Sequence, residues 1–394
     1  MNDQCRQRIP NYVFAALTLC LLLISTTACN QTTAATSSIT APADSQAATQ
    51  HAFQYASPSL SAFLGRPITF EAIVVEPARR TPDERFPVAF YVHGFERWPS
   101  EAQWLASETL AKLSAVGSDY PRMVYVFPRA QFEYGHHEFA DSENNGPWGN
   151  AFVNEFLPEI ERQYRTVGTP ESRFVSGHSS GGWSALWLQV AYPDTFGGAW
   201  GLSPDPVDFH DFCGIDLYNE ENMYVDKSGK ERPLSRKGLL SETFRAFVER
   251  ELASQPIGGQ FYSFDAVFSP RDSDGTPTFI FDRTSGKIDP SIAKTWKRYD
   301  IANILESRWQ ELEPKLAGKL HVFCGDKDTY RLEGAVRRLK VLLKKLNSDA
   351  EVVLVPGMNH NSLGPSSQWP DGWLEFAHRA MWARYESLHP GIVK

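Results

Sequence analysis

The sequence predicts an α/β protein whose mainly parallel sheet is covered by helices on both faces. Three observations carry this expectation. Short continuous apolar runs alternate with amphipathic stretches between Phe53 and Leu388, a Gly-x-Ser-x-Gly pentapeptide stands where one such run passes into a helical pattern, and the alternation resumes after an irregular segment from Phe209 to Asp300. With 42% hydrophobic and 22% charged residues the 394-residue chain can bury a large core. A net charge of −8 without a long basic run argues against nucleic acid as a partner.

At the N-terminus, Arg6 and Arg8 precede an apolar run from Tyr12 to Ile24, followed by small residues up to Ala28 and Cys29. This is the layout of a secretory signal. The run falls short of the ~20 residues that span a bilayer. Cys29 after Ala28 resembles a lipobox, in which the cysteine is acylated, although Thr26 stands where Leu is usual. The expected organisation is a signal peptide over 1–28, a flexible Ala/Thr/Ser/Gln tether over 29–52 too polar to order itself, and an α/β domain over 53–390 with an insertion at about 209–300. An exported, membrane-anchored protein facing the periplasm or cell surface would result. Cys213 and Cys324 then remain, either bridged or separately buried.

Within the domain, Ile68–Val75 alternates like a first strand, and Val88–Val92 reads as a strand buried on both faces. A helix over Glu101–Val116 and a strand over Met123–Phe127 follow. Phe152, Phe156, Ile160 and Tyr164 mark one helix face. Strand Arg173–Ser176, helix Gly182–Tyr192 and strand Gly198–Leu202 precede the insertion, where Thr278–Phe281 is a β-type run between turn signals. Strand Leu320–Phe323, helix Glu333–Leu346, strand Glu351–Val355 and helix Trp373–Leu388 complete the pattern.

Gly177-His178-Ser179-Ser180-Gly181 joins a predicted strand to a predicted helix, the context in which such a serine stands exposed on a sharp turn. Gly177 and Gly181 remove the Cβ atoms that would clash there. A serine hydroxyl needs a base, and the base a carboxylate to orient it, in the order Ser, acid, His. His360, in the loop leaving strand Glu351–Val355, is the expected base; His378 sits in a helical pattern and His389 beside the C-terminus. In Cys324-Gly325-Asp326-Lys327-Asp328 the expected acid is Asp328, with Asp326 as the alternative, otherwise a turn cap. Backbone N–H groups of Ser180 and of Phe95, beside Gly94 in the loop after Val88–Val92, are the expected oxyanion donors. His93 reads as a buried structural residue.

Several of these segments together resemble the putative esterase family: Tyr91-Val92-His93-Gly94, Phe139-Ala140-Asp141-Ser142 with Asn145-Gly146-Pro147-Trp148-Gly149, the GHSSGG elbow, Tyr192-Pro193-Asp194-Thr195-Phe196-Gly197-Gly198 and Ser203-Pro204-Asp205. The family groups esterase D, feruloyl esterases and enterochelin esterases. The resemblance implies an α/β-hydrolase fold, cleavage of small-molecule carboxylic esters through an acyl-enzyme, a triad of Ser179, Asp328 and His360, and neither metal nor organic cofactor. The insertion departs from compact members, so no substrate preference carries over. An acyltransferase using the same triad and a non-catalytic surface binding protein with a hydrolase shell are the alternatives. His136-His137-Glu138 with Asp141 reads as a substrate-side loop rather than a metal site, and Trp148, Trp183, Trp187 and Trp200 as packing, or else as an aromatic cleft.

Overall fold

The computed structural model describes residues 47–237, 240–361 and 364–391. The expected signal peptide, Cys29 and most of the tether therefore lie outside the described residues. Among the described residues no helix is long and apolar enough to cross a membrane.

Eight strands form the main sheet: β1 (Thr49–Ala56), β2 (Thr69–Glu76), β3 (Val88–Val92), β4 (Val124–Pro128), β5 (Arg173–His178), β6 (Gly198–Leu202), β7 (Leu320–Gly325) and β8 (Glu351–Val355). Their order is β1-β2-β4-β3-β5-β6-β7-β8. β2 pairs antiparallel with both β1 and β4, and every other pairing is parallel. All five residues of β3 and of β4 are buried, as expected of parallel strands covered on both faces. Successive side chains of β3 enter opposite layers: Val88, Phe90 and Val92 join one core, Ala89 and Tyr91 the other.

Helices α1 (Ser100–Ser114) and α8 (Trp373–Leu388) cover the second core through Leu105, Ala106, Trp373 and Met381. On the other face lie α2 (Leu157–Tyr164), α3 (Ser180–Ala191), α6 (Ile301–Leu316) and α7 (Glu333–Lys345). A five-residue π-helical stretch, Phe152–Phe156, leads directly into α2, and Phe152, Phe156, Ile160 and Tyr164 are all buried.

Three expectations are corrected. Thr49–Ala52 belong to β1, not to a tether, because the edge of β2 offers a complete antiparallel register from Thr49↔Glu76 to Ala56↔Thr69. Thr278–Phe281 is no strand: only Phe281 makes a bridge, to Ile288, and the Ile280 N–H goes instead to the Asp265 carboxylate at 2.9 Å. α6 was not anticipated, although Asp300 caps it by accepting the Asn303 N–H at 3.1 Å.

The insertion contains a hairpin (Pro233–Lys237 and Leu240–Thr243) followed by α4 (Phe244–Ser254) and α5 (Gln260–Phe268). It shares the main core: the Phe268 ring lies 5.2 Å from Trp183 on α3.

Candidate active site

Ser179 stands between β5 and α3 with φ 58° and ψ −126°, a backbone conformation that L-residues rarely occupy. The local packing explains how it is held. A Cβ on Gly177 would lie 2.1 Å from the Gly181 carbonyl oxygen, and one on Gly181 would lie 1.9 Å from that of Val92. Only glycine at both positions lets β5, α3 and β3 approach closely enough to close the turn. β5 continues two residues past its expected end, to His178, because its ladder with β6 runs to the pair His178↔Leu202.

The three side chains expected to act together meet. Nε2 of His360 lies 3.0 Å from Ser179 Oγ, and Nδ1 lies 2.9 Å from Asp328 Oδ2, across 181 and 32 residues of chain. A carboxylate can only accept, so Nδ1 carries the proton and Nε2 presents its lone pair to the serine. Asp328 is 0% exposed and His360 4%. Burial works against the charged Asp328 carboxylate, but attraction and hydrogen bonding to His360, with the Tyr330 and Leu332 N–H groups, outweigh it and hold its pKa below the ordinary carboxylate value. Asp326 does not reach His360. Its Oδ1 accepts the Gly357 N–H at 2.7 Å, bracing the turn after β8 that leads to His360.

Phe95 lies in a turn closed by the Arg97 N–H on the Gly94 carbonyl at 3.2 Å. A Cβ on Gly94 would sit 3.4 Å from Ser179 Cβ, so this loop abuts the serine. His93, fully buried, supports the loop: its Nε2 accepts the Ala130 N–H at 2.9 Å, which leaves Nδ1 as donor to the Gly94 carbonyl at 2.7 Å. Burial and the nearby His136 drive its pKa down to about 3, so the ring stays neutral.

Ser179, His360, Gly94, Phe95 and Tyr330 open onto a cavity of about 510 Å³. The insertion forms its opposite wall, with Leu234, Phe247, Phe261 and Phe264 among polar Arg250 and Glu251.

Four contributors were not legible in the sequence. His178 donates from Nε2 to the His360 backbone carbonyl at 2.7 Å and packs its ring 4.6 Å from the His360 ring. The elbow motif contained it without revealing that contact. Arg236 of the insertion donates to the Asp328 carbonyl at 2.6 Å and pairs with Glu333 at 2.7 Å, tying the hairpin to the loop after β7. Asp205 and Glu138 lie behind Ser179, around Ser180 and Ser184.

Packing decides two further expectations. The His136–Glu138 segment is no substrate-side loop: all three residues are buried, with the ring of His137 stacked 3.9 Å from Trp148. Among the described residues no three His, Cys, Asp or Glu side chains form a metal-binding group. Trp148, Trp183, Trp187 and Trp200 are buried packing residues, and none lines the cavity around Ser179. Cys213 and Cys324 are separate buried thiols.

Sheet order, elbow and converging loops define an α/β-hydrolase fold. Residues 61–300 match the family model described as Esterase, putative esterase. The chain belongs to that family. Among solved structures it is similar to a ferulic acid esterase, with 14% identity, a TM-score of 0.52, and coverage of 87% of this chain and 99% of that one. It is also similar to S-formylglutathione hydrolases from Staphylococcus aureus (12% identity, TM-score 0.47, covering 86% and 99%) and Agrobacterium tumefaciens (16%, 0.47, 86% and 97%). At 14% identity the likeness to the ferulic acid esterase is one of fold. No curated relative matches the chain.

Proposed function

We propose that the protein is a serine hydrolase cleaving carboxylic esters of small molecules. The observation that carries the reading is the hydrogen-bonded chain Ser179–His360–Asp328 at 3.0 and 2.9 Å, opening on a cavity. Ser179 Oγ attacks the acyl carbon while Nε2 of His360 takes its proton. Asp328 keeps the imidazole in the required tautomer and stabilises the imidazolium that forms. The N–H groups of Phe95 and Ser180 stabilise the developing oxyanion. His360 then returns its proton to the leaving alcohol, and water resolves the acyl-enzyme by the same steps in reverse.

Labelling by a fluorophosphonate tests the reading, since the probe reacts with an activated serine. Stoichiometric labelling that disappears in Ser179→Ala is expected, and an unlabelled native protein would sink it. Added alcohol separates hydrolysis from acyl transfer: free acid should remain the main product.

We further propose that the chain is exported and anchored by acylation of Cys29, supported by the apolar run before it and the polar segment after it. Native protein should partition into detergent and Cys29→Ser into the aqueous phase. Recovery of both in the aqueous phase would overturn the anchor.

A further inference from the structure

Behind Ser179, a chain of buried polar contacts runs from one expected oxyanion donor to the other. It begins at Asp205, in the loop after β6, whose N–H donates to the Ser179 carbonyl at 3.2 Å and whose Oδ2 accepts the Ser180 hydroxyl at 2.6 Å. Ser184, one turn along α3, places its Oγ 2.8 Å from the Ser180 carbonyl and 2.9 Å from Glu138 Oε2. The Glu138 N–H donates to Nδ1 of His136 at 3.2 Å. That leaves Nε2 of His136 as donor to the His93 carbonyl at 3.0 Å, and His93 in turn holds the Gly94 carbonyl. Ser180, Ser184, Glu138, His136 and His93 are each no more than 1% exposed, and Asp205 is 7% exposed, on the cavity wall.

We propose that Asp205 and Glu138 are positioning residues that clamp the first turn of α3 and, through His136 and His93, the Gly94–Phe95 loop, so that the Ser180 and Phe95 N–H groups stay aimed at the developing oxyanion. The inference rests on Ser179 being the nucleophile. Oxyanion donors act by being oriented before charge appears, so a group that fixes their direction serves the transition state without touching substrate. Two carboxylates in such a place would oppose a nearby oxyanion if both were ionised. The geometry at Ser184 resolves this. Its hydroxyl has one proton and two close oxygens, one of them a carbonyl that can only accept, so both contacts are satisfied when Glu138 is a neutral acid donating to Ser184 Oγ. Burial pushes the Glu138 pKa well up, in agreement. Burial likewise raises the Asp205 pKa, to about 7.

The test compares Asp205→Ala, Ser180→Ala and the double variant, with Asp205→Asn and Glu138→Gln as conservative partners that keep the acceptor or mimic the neutral acid. For p-nitrophenyl acetate, kcat should fall roughly tenfold to a hundredfold in each Ala variant with KM within about twofold, less than or comparable to the loss of one oxyanion donor. Affinity for a boronic acid, which mimics the tetrahedral adduct, should fall in the same proportion, a parallel that mere loss of stability does not produce. The double variant should be no worse than the poorer single one, because both remove one interaction. Asp205→Asn and Glu138→Gln should stay within about threefold of native on the same scale. If Asp205→Ala does not fold, Ser180→Ala carries the comparison, since it keeps the backbone N–H. Native kcat in Ser180→Ala, additive losses in the double variant, or equal losses in KM and kcat would each overturn the clamp. Failure of the underlying reading looks different: Ser179→Ala would then hydrolyse the ester at the native rate.

Discussion

Asp326 and Asp328, two residues apart on the loop after β7, serve different parts of the site. Oδ2 of Asp328 lies 2.9 Å from Nδ1 of His360, whereas Oδ1 of Asp326 accepts the Gly357 N–H at 2.7 Å. Asp328→Asn should therefore fold and lose about 10⁴ in turnover, because the imidazole tautomer it favours is wrong for a base. Asp326→Ala should cost on the order of 1 kcal/mol of stability through the lost turn hydrogen bond, with a far smaller effect on rate. Rates on a short-chain p-nitrophenyl ester and melting curves for both variants decide the matter. Near-native turnover in Asp328→Asn with collapse in Asp326→Ala would reverse the assignment.

Glycine at the elbow is a steric requirement. In Gly177→Ala the new methyl would lie 2.1 Å from a backbone oxygen and in Gly181→Ala 1.9 Å from another, so neither variant should yield soluble, folded protein. Gly364→Ala meets nothing within 4 Å among the described residues and should remain within about 0.5 kcal/mol of native. Soluble expression and circular dichroism check this, and a folded, active Gly181→Ala would contradict the close approach to Val92.

The insertion is expected to do two separable things. Phe247 lines the cavity on α4, and Phe247→Ala should change relative rates along a ladder of acyl lengths by roughly 10-fold or more while sparing acetate, the range that pocket contacts supply. Arg236 holds the Asp328 backbone, so Arg236→Ala should slow all esters alike. A length-dependent loss in Arg236→Ala and a uniform one in Phe247→Ala would exchange these roles. The shared core through Phe268 and Trp183 also means that excising the whole segment should unfold the protein.

Asp205 makes stability depend on pH with a known sign. Its pKa in the fold is about 7, above its ordinary value of 3.8, so the native state holds the proton more tightly than the unfolded chain. Its contribution is complete below about pH 4 and is lost as pH rises through about 7. Asp205→Asn does not titrate at this position. The native Tm relative to that variant should decline from about pH 5 to about pH 8, and a constant difference would count against the raised pKa.

Much of the scaffold was legible in the chain itself. Strands Val88–Val92, Gly198–Leu202 and Glu351–Val355 and helix Trp373–Leu388 have their expected bounds, because continuous apolar runs and amphipathic periodicity report burial directly. The elbow was legible for a related reason: glycines flanking a serine between strand and helix are a local requirement, written in adjacent residues. β1 was hidden because an edge strand is specified by the partner that offers it a register, here β2, and its own composition reads as polar. The run Thr278–Phe281 failed in the opposite sense, having β-type residues but no ladder to join.

Sequence alone thus determined the class of fold, the serine and its candidate partners, since backbone hydrogen bonding and hydrophobic period act over a few residues. Tertiary structure decided everything that depends on approach between distant segments. It brought Asp328 rather than Asp326 to His360, turned His178 onto the His360 carbonyl, and buried His136, Glu138 and Asp205 behind Ser179. These contacts join residues far apart in the chain, and their energy comes from satisfying polar groups removed from water, a condition that exists only once the core has closed.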